Sequence, residues 1–267
     1  MNLIKTLIII LSCSGTVFAQ DDSPYRTKFK VDAPIIAVGV GLNYLGFTMV
    51  RDKEHLSEAE VNSLSTNDVN GIDRFGAGKY SERADKLSYY PFYASFVAPI
   101  AMLLNKNEGR KAGQIMALYL ETMSITGAMF TLTAGNVERS RPLVYNTSLP
   151  MEQRIDNDAQ RSFFAGHVAA TASATFFAAK VFSDFNPDSR AKPYVWAAAA
   201  IVPAVVGYYR LEGGKHFLTD NLLGYALGAS VGVLVPHLHK KTTNSSLSIS
   251  PVMAPGYKGT QLSYTFK

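Results

Sequence analysis

Six long stretches with almost no charged residues constrain what this chain can fold into. The second of them, LSYYPFYASFVAPIAMLLN, is 19 uncharged residues long, about the length that a helix needs to cross a bilayer core of roughly 30 Å. A soluble bundle with fully buried central helices would read similarly, but tyrosine pairs and lysines at the stretch ends favour a membrane. We therefore predict an all-α bundle of about six apolar helices, embedded in a membrane. The stretches cover residues 33–50, 87–105, 113–137, 162–179, 193–209 and 217–236.

The first 20 residues have the layout of a secretory signal peptide. They contain Lys5, an apolar run over residues 7–11, and small residues just before a cleavage point. Cys13, the one cysteine of the chain, lies in this segment, so a processed chain would form no disulfide. We therefore expect export to the bacterial cell envelope, with a signal peptide over residues 1–20.

The rest of the chain divides by composition into three parts. Residues 21–86 should hold an N-terminal helix and a charged insert, which we expect to be a solvated surface subdomain whose SEAE motif starts a helix. Residues 87–238 form the predicted helical core. In the tail, residues 239–267, SLSIS and QLSYTF alternate in polarity and predict two short strands. The 26 Lys and Arg against 21 Asp and Glu form no basic run interleaved with aromatic residues, which disfavours nucleic acid as a partner.

Two polar motifs lie at the ends of apolar stretches in the core. VERSRP ends the third stretch; its proline disfavours helix at the preceding residue, so Arg139 and Arg141 should project into a loop. RSFFAGH opens the fourth stretch with Gly166 and His167, at a helix N-terminus whose free N–H groups and positive dipole end favour an anion. Taken singly, snorkelling arginines and a packed histidine explain both motifs.

The third polar motif is RLEGGKHFLTD, residues 210–220. If a helix begins near Lys215, His216 and Asp220 share one face, and the carboxylate can accept a hydrogen bond from one ring nitrogen. The other nitrogen is then free to attack or to bind. The glycine pair would let a substrate approach, and Arg210 offers a forked donor to an oxyanion. A capped helix with a local His–Asp pair is the simpler alternative.

Together the three motifs predict an anion site and resemble the signature of the type 2 phosphatidic acid phosphatase family. This family shares a superfamily with class A bacterial acid phosphatases and vanadium haloperoxidases. Its signature is Lys, six residues, Arg-Pro; then Pro-Ser-Gly-His; then Ser-Arg, five residues, His, three residues, Asp. The resemblance covers residues 87–236. The matching residues are Arg141-Pro142, Gly166-His167, and Arg210 followed at the family spacing by His216 and Asp220.

The resemblance implies a phosphatase that works through a phosphohistidine, without a cofactor or a metal. His216 would be the nucleophile and Asp220 its orienting partner. His167 would protonate the leaving group and later activate water. The implied substrates are membrane lipid phosphates or a polyprenyl diphosphate.

The resemblance also implies that Arg141, Arg210 and Gly166 bind the phosphate. Two donors of the family are absent: Ala134 stands where the family has its lysine, and Phe164-Ala165 where it has Pro-Ser. Tyr209 replaces the serine before Arg210. The chain would then need Arg139 or Lys215 as a substitute donor. The alternatives are a soluble periplasmic acid phosphatase, a vanadate-dependent peroxidase, and a degenerate membrane protein without catalysis.

The number of membrane crossings determines which side of the membrane the three motifs face. If residues 33–50 lie against the bundle or the interface and five stretches cross, all three motifs face the periplasm. The basic loops NKNEGRK, SDFNPDSRAK and HLHKK then lie inside, as the positive-inside tendency requires. We therefore expect an integral membrane protein with a periplasmic site.

Overall fold

The computed structural model describes residues 23–241, 247–254 and 257–264, and the predicted signal peptide lies outside them. Six long helices dominate these residues, and the prediction of an all-α bundle of six apolar helices is confirmed. The long helices are α1 (Phe29–Arg51), α3 (Glu82–Ala101), α5 (Ala112–Asn136), α7 (Gly166–Phe185), α8 (Lys192–Glu212) and α9 (Leu218–Leu238). Three short helices lie between them: α2 (Glu58–Ser63), α4 (Lys106–Gly109) and α6 (Met151–Arg154).

Five of the long helices, α1, α3, α5, α8 and α9, are long and apolar enough to cross a membrane. The chain therefore has the character of an integral membrane protein. The sixth, α7, lies at the centre and packs against α3, α5, α8 and α9. Its alanine-rich surface is almost entirely enclosed by these neighbours, because small side chains let several helices approach at once.

A seam of glycines brings α9 against α7. At three positions spaced four residues apart on α9, an added Cβ would collide with the backbone of α7. The two helices run parallel from the same end of the bundle, so this close approach fixes the register between their first turns. The facing pairs are Gly224 with Ala165, Gly228 with Ala169, and Gly232 with Ser173.

Helix α1 lies alongside α5 and runs parallel to it. Gly39 faces Ser124 and Gly46 faces Thr131, each so closely that a Cβ would clash. The apolar stretch over residues 33–50 thus has the same depth in the bundle as α5. If α5 crosses a membrane, α1 crosses with it, and the expectation that this stretch stays outside the set of spans is wrong.

Most residues of the charged insert are exposed, as its composition indicated, but a few of them are buried against the bundle. Val61 of α2 is buried in a small core with Leu143, Val144 and Ala159, which belong to the segment between α5 and α7. Asp73 is completely buried. The insert therefore covers one end of the bundle, and part of its polar character serves buried hydrogen bonds rather than solvent.

The two strands predicted for the tail form and pair with each other. Strand β1 (Leu247–Ala254) is antiparallel to β2 (Tyr257–Tyr264), in a register that sets Leu247 opposite Tyr264.

Candidate active site

The three polar motifs meet at the end of the bundle that the insert covers. Helices α5 and α8 run toward this end, whereas α7 and α9 start from it. Arg141 follows α5 in an extended conformation, His167 is the second residue of α7, and Arg210 lies in the last turn of α8. His216 lies in the short connection before α9. Helix direction alone therefore gathers residues that are far apart in the sequence.

His216 is held with one ring nitrogen free. Its side chain is buried, and Nδ1–H donates to the carbonyl oxygen of Ser162 over 2.6 Å. Because a carbonyl can only accept, Nδ1 carries the proton and Nε2 keeps its lone pair in the neutral ring. Burial lowers the pKa of His216 well below its usual value, and the positive charges of Arg210 and Arg141 lower it further. The ring is therefore neutral at neutral pH.

The expected hydrogen bond between His216 and Asp220 is absent, and the reason lies in where α9 begins. The helix starts at Leu218, so His216 precedes it and cannot share a helical face with Asp220. The Asp220 carboxylate instead accepts from the backbone N–H of Phe217 at 2.9 Å and from Ser162 Oγ at 2.6 Å. Asp220 thus holds Ser162, and the Ser162 carbonyl orients His216.

Arg139 is not free to replace the missing family lysine. Its guanidinium donates to Asp220 and, over 2.7 Å, to Asp73 of the insert. It also lies 4.9 Å from the centroid of the Phe217 ring. Arg139 therefore ties the insert to the start of α9, and its two carboxylate partners disfavour it as a phosphate ligand.

Lys215 occupies the better position for that task. Its Nζ lies 3.6 Å from Asp85 and 3.9 Å from Asp158, between the carboxylates that pair with Arg210 and Arg141. Of the two candidate substitutes, the structure brings only Lys215 into the cluster.

Arg141 and Arg210 are buried and are each paired with one carboxylate. Arg141 donates to Asp158, and Arg210 donates to Asp85 over 2.5 Å. The Nε atoms of both arginines are buried without a hydrogen-bond partner. Burial alone would raise the pKa of Asp158, but the charges of Arg141, Lys215 and Arg161 outweigh it and lower that pKa. The cluster therefore holds ionised carboxylates against cations that have unused donors.

The start of α7 adds backbone donors. Among the described residues, no hydrogen-bond acceptor faces the N–H groups of Gly166 and His167. Gly166 is required by packing, since a Cβ there would lie 2.6 Å from the ring of Phe130. The His167 ring contacts two aromatic rings of α3, Tyr89 at 5.2 Å and Phe92 at 4.3 Å between centroids. The positive charges of Arg210 and Arg141 repel a proton on the same ring.

At position 134, where the family has its lysine, the side chain is buried and offers no donor to the site. Ala134 is fully buried, and its carbonyl accepts from Lys53 Nζ over 3.1 Å. The same amine donates to the carbonyl groups of Val137 and Gln160, so Lys53 caps the end of α5. Burial lowers the pKa of Lys53.

The glycine pair after α8 serves the backbone rather than a substrate. Gly214 has a φ of +68°, and an added Cβ would collide with the carbonyl of Lys79. A Cβ on Gly213 would lie 3.2 Å from the backbone of Asp85. These glycines admit the segment that leads into α3 and so bring Asp85 to Arg210. The expectation that they open the site to a substrate is wrong.

Four polar residues of the site were missed by the sequence reasoning. Three of them, in the insert, in the first turn of α3 and between α5 and α7, lie outside the motifs, whereas Ser162 lies inside RSFFAGH but acts through its backbone carbonyl. One signal was available: buried arginines require carboxylate partners, and the three motifs contain four arginines and a lysine against only three acids, Glu138, Glu212 and Asp220. The missed residues are Asp73, Asp85, Asp158 and Ser162.

Residues 115–244 match the family model of the PAP2 superfamily. This part of the chain is therefore similar to the PAP2 superfamily. All three motifs of the candidate site lie within the matched residues. One solved structure resembles this chain, the transmembrane PAP2-type phosphatidylglycerolphosphate phosphatase from Bacillus subtilis. It has 18% sequence identity and a TM-score of 0.41, and the match covers 79% of this chain and 92% of that one. No curated protein matches the sequence.

Proposed function

We propose that the chain is a phosphatase that removes phosphate from membrane lipids through a phosphohistidine on His216. The match of residues 115–244 to the PAP2 family model supports the phosphatase. The observation that carries the mechanism is the fixed tautomer of His216, whose Nδ1–H is bound to Ser162 while Nε2 is left without a proton. A free imidazole nitrogen beside buried guanidinium donors is what attack on a phosphate requires.

The first step would transfer the phosphoryl group to the protein. His216 Nε2 forms a bond to phosphorus as the bond between phosphorus and the leaving oxygen breaks. The negative charge of a bound phosphate would favour protonation of His167, which then gives its proton to that oxygen, so a neutral alcohol or a shorter phosphate leaves. The unpartnered Nε–H groups of Arg141 and Arg210 and the free N–H groups of Gly166 and His167 would take the phosphoryl oxygens.

The second step would release phosphate. His167, now neutral, accepts a proton from water, and the water oxygen attacks phosphorus. The P–N bond to His216 breaks, and its electrons return to Nε2. We propose that no metal takes part in either step, because the groups that would stabilise the charge are themselves cations.

The position of the site favours a lipid phosphate or a polyprenyl diphosphate. The site residues lie where the apolar helices end, at the depth where a headgroup phosphate would sit above its hydrocarbon. Tyr89, which contacts His167, is followed on α3 by the exposed Tyr90 and Tyr93. Exposed tyrosines at such a depth are typical of a membrane interface. The apolar outer helix faces argue against the soluble acid phosphatase.

A panel of lipid phosphates tests the proposal. We expect purified wild-type protein to release inorganic phosphate from at least one lipid, and His216→Ala to fall to the buffer background. His237→Ala is the matched control, because His237 is exposed at the opposite end of the bundle. An alkaline quench should trap a phosphorylated chain in the wild type only, since phosphohistidine is acid-labile. Equal release by wild type and His216→Ala would favour the degenerate, non-catalytic alternative.

We also propose that the site faces the periplasm. The short connections at the opposite end are rich in cations, which favours a cytoplasmic position for that end. These cations include Lys106, Arg110, Lys111, Arg190 and Lys192.

A further inference from the structure

Three potential metal ligands meet at the end of the bundle opposite the catalytic site. Asp32 lies in the first turn of α1, Glu121 lies within α5, and His239 follows the last residue of α9. One carboxylate oxygen from each acid and one ring nitrogen of His239 all lie within 4.8 Å of one another. Residues from three helices therefore converge on one point.

The orientation of His239 leaves three acceptors facing each other. Its Nδ1–H donates to the carbonyl oxygen of Val235 over 2.8 Å, so Nδ1 carries a proton. Its Nε2 lies 3.3 Å from Asp32 Oδ1 and 3.7 Å from Glu121 Oε2. With a neutral ring, Nε2 is an acceptor, and such a grouping requires a cation between the three atoms. A backbone carbonyl on the far ring nitrogen is also the usual support of a metal-bound histidine.

The second observation is an unpartnered carboxylate. The side chain of Glu121 is only 5% exposed, and Oε2 is buried without a hydrogen-bond partner. This oxygen points at the shared centre of the cluster. Asp32, by contrast, is held in place, because its second oxygen accepts from the backbone N–H of Lys28 over 2.7 Å. In this cluster the Asp32 carboxylate is oriented by a backbone hydrogen bond, whereas Glu121 Oε2 has no hydrogen-bond donor.

We propose that Asp32, Glu121 and His239 bind a divalent transition metal ion, for which Zn²⁺ is the best match. Two carboxylates and a neutral imidazole carry a charge of −2, which one divalent ion neutralises. Imidazole nitrogen with carboxylate oxygen suits zinc, with water completing the shell. Magnesium and calcium prefer ligand sets made of oxygen alone, so the histidine disfavours them.

The site is open to solvent on one side. A cavity of about 590 Å³ is lined by Asp32 and His239, together with basic residues that include Arg26, Lys28 and Lys240. Water can therefore reach the metal position. The competing occupant is a proton on His239 Nε2, which lies 3.3 Å from Asp32 Oδ1 and would make His239 a cation between two carboxylates. Metal binding and this protonated triad make opposite predictions for zinc content.

The proposed ion would join α1, α5 and α9 at the end remote from His216. The ion would stabilise the packing of these helices and would have no role in phosphoryl transfer. Zinc binding, rather than phosphatase activity, is therefore the measurement to make, and its failure would leave the proposed function untouched.

The experiment measures zinc in the detergent-purified full chain, carried on an affinity tag without histidines. The protein is stripped with EDTA, equilibrated with Zn²⁺ and analysed for metal content. We expect one zinc per wild-type chain and a melting temperature that rises with free zinc. Glu121→Gln keeps the size of the side chain and should lower zinc affinity by more than about 100-fold, because loss of an outer-shell partner alone costs about 10- to 100-fold.

His237→Gln is the matched control for a histidine near the site. His237 is exposed and lies two residues before His239, so this variant should retain one zinc per chain. Asp32→Asn tests a second ligand from a different helix and should also lose the metal. The proposal is overturned if the wild type holds no stoichiometric zinc, or if Glu121→Gln and the wild type hold it equally.

Discussion

At the scale of single residues, Lys215 is the donor that can replace the missing family lysine. We expect Lys215→Met to lower kcat/KM for a lipid phosphate by about 10- to 100-fold, through loss of one charge-assisted contact to the phosphate. Lys79→Met is the matched control, since Lys79 pairs with Glu212 over 2.6 Å and not with the carboxylates that hold Arg141 and Arg210. An equal loss in both variants would contradict a specific role for Lys215.

His216 also predicts how stability depends on pH. Its pKa is lowered in the folded chain, mainly by burial, so the unfolded chain takes up a proton near pH 6.5 that the folded chain does not. Its stabilising contribution is therefore complete above about pH 6.5 and is lost as pH falls below it, by about 1.4 kcal/mol per pH unit. Melting temperatures measured from pH 7.5 to 5 should fall less steeply for His216→Asn than for wild type. The exposed His55 provides a control, as His55→Asn should keep the wild-type slope.

At the scale of elements, the insert is tied to the start of α9 through Asp73. The Asp73 carboxylate accepts from Thr219 N–H at 2.9 Å, from Thr219 Oγ at 2.5 Å and from Arg139 at 2.7 Å. These bonds hold its pKa below the usual range, even though burial alone would raise it. The insert therefore reaches the helix whose first turn adjoins His216.

Breaking that tie should loosen the insert. We expect Asp73→Asn to lower stability by about 2 kcal/mol, because it removes the charge that Arg139 and Thr219 bind. Hydrogen exchange should quicken across residues 58–76 and in the first turn of α9. Asp68→Asn changes an exposed carboxylate of the same insert, which caps only its own turn, and should leave exchange in α9 unchanged.

The sequence predicted the helices well because each carries a long apolar signal of its own. It placed the three motifs at helix ends, and alternating helix direction then brought those ends together. The sequence could not predict the hydrogen-bond and ion-pair partners of the site residues, because these partners lie outside any periodic pattern. The carbonyl of Ser162 orients His216 across 54 residues. Asp73 and Asp85 come from stretches whose charge alone indicated solvent. A backbone acceptor has no sequence signature, and a buried acid differs from an exposed one only in its surroundings.

At the scale of the whole molecule, the parallel arrangement of α1 and α5 makes two expectations incompatible, the export of residue 23 and a periplasmic site. Residues 23–28 and the catalytic site lie at opposite ends of the bundle, so they face opposite sides of a membrane if α1 crosses. An exported residue 23 and a periplasmic site then cannot both hold. The cations at the end opposite the site favour the proposed periplasmic site, and with it a cytoplasmic position for residues 23–28.

Single cysteines can decide this orientation, starting from a Cys13→Ser background. Asn67 is exposed at the site end and Asp188 at the other. We expect Asn67→Cys to react with a membrane-impermeant maleimide in intact spheroplasts, and Asp188→Cys to react only after lysis. The reverse pattern would mean that the site faces the cytoplasm and would agree with a cleaved signal peptide.

The carboxylates that pair with Arg141 and Arg210 occupy the same guanidinium groups that the proposed phosphate would use. A phosphate bound by Arg141 and Arg210 would compete with Asp158 and Asp85 for their guanidinium charges. Asp158→Asn should therefore bind inorganic phosphate about 5- to 10-fold more tightly, measured as product inhibition, because it weakens one internal rival for Arg141. Asp156→Asn, an exposed neighbour, should leave this inhibition unchanged. Product release in such a site is an exchange of anions, and its rate depends on how quickly the protein's own carboxylates return.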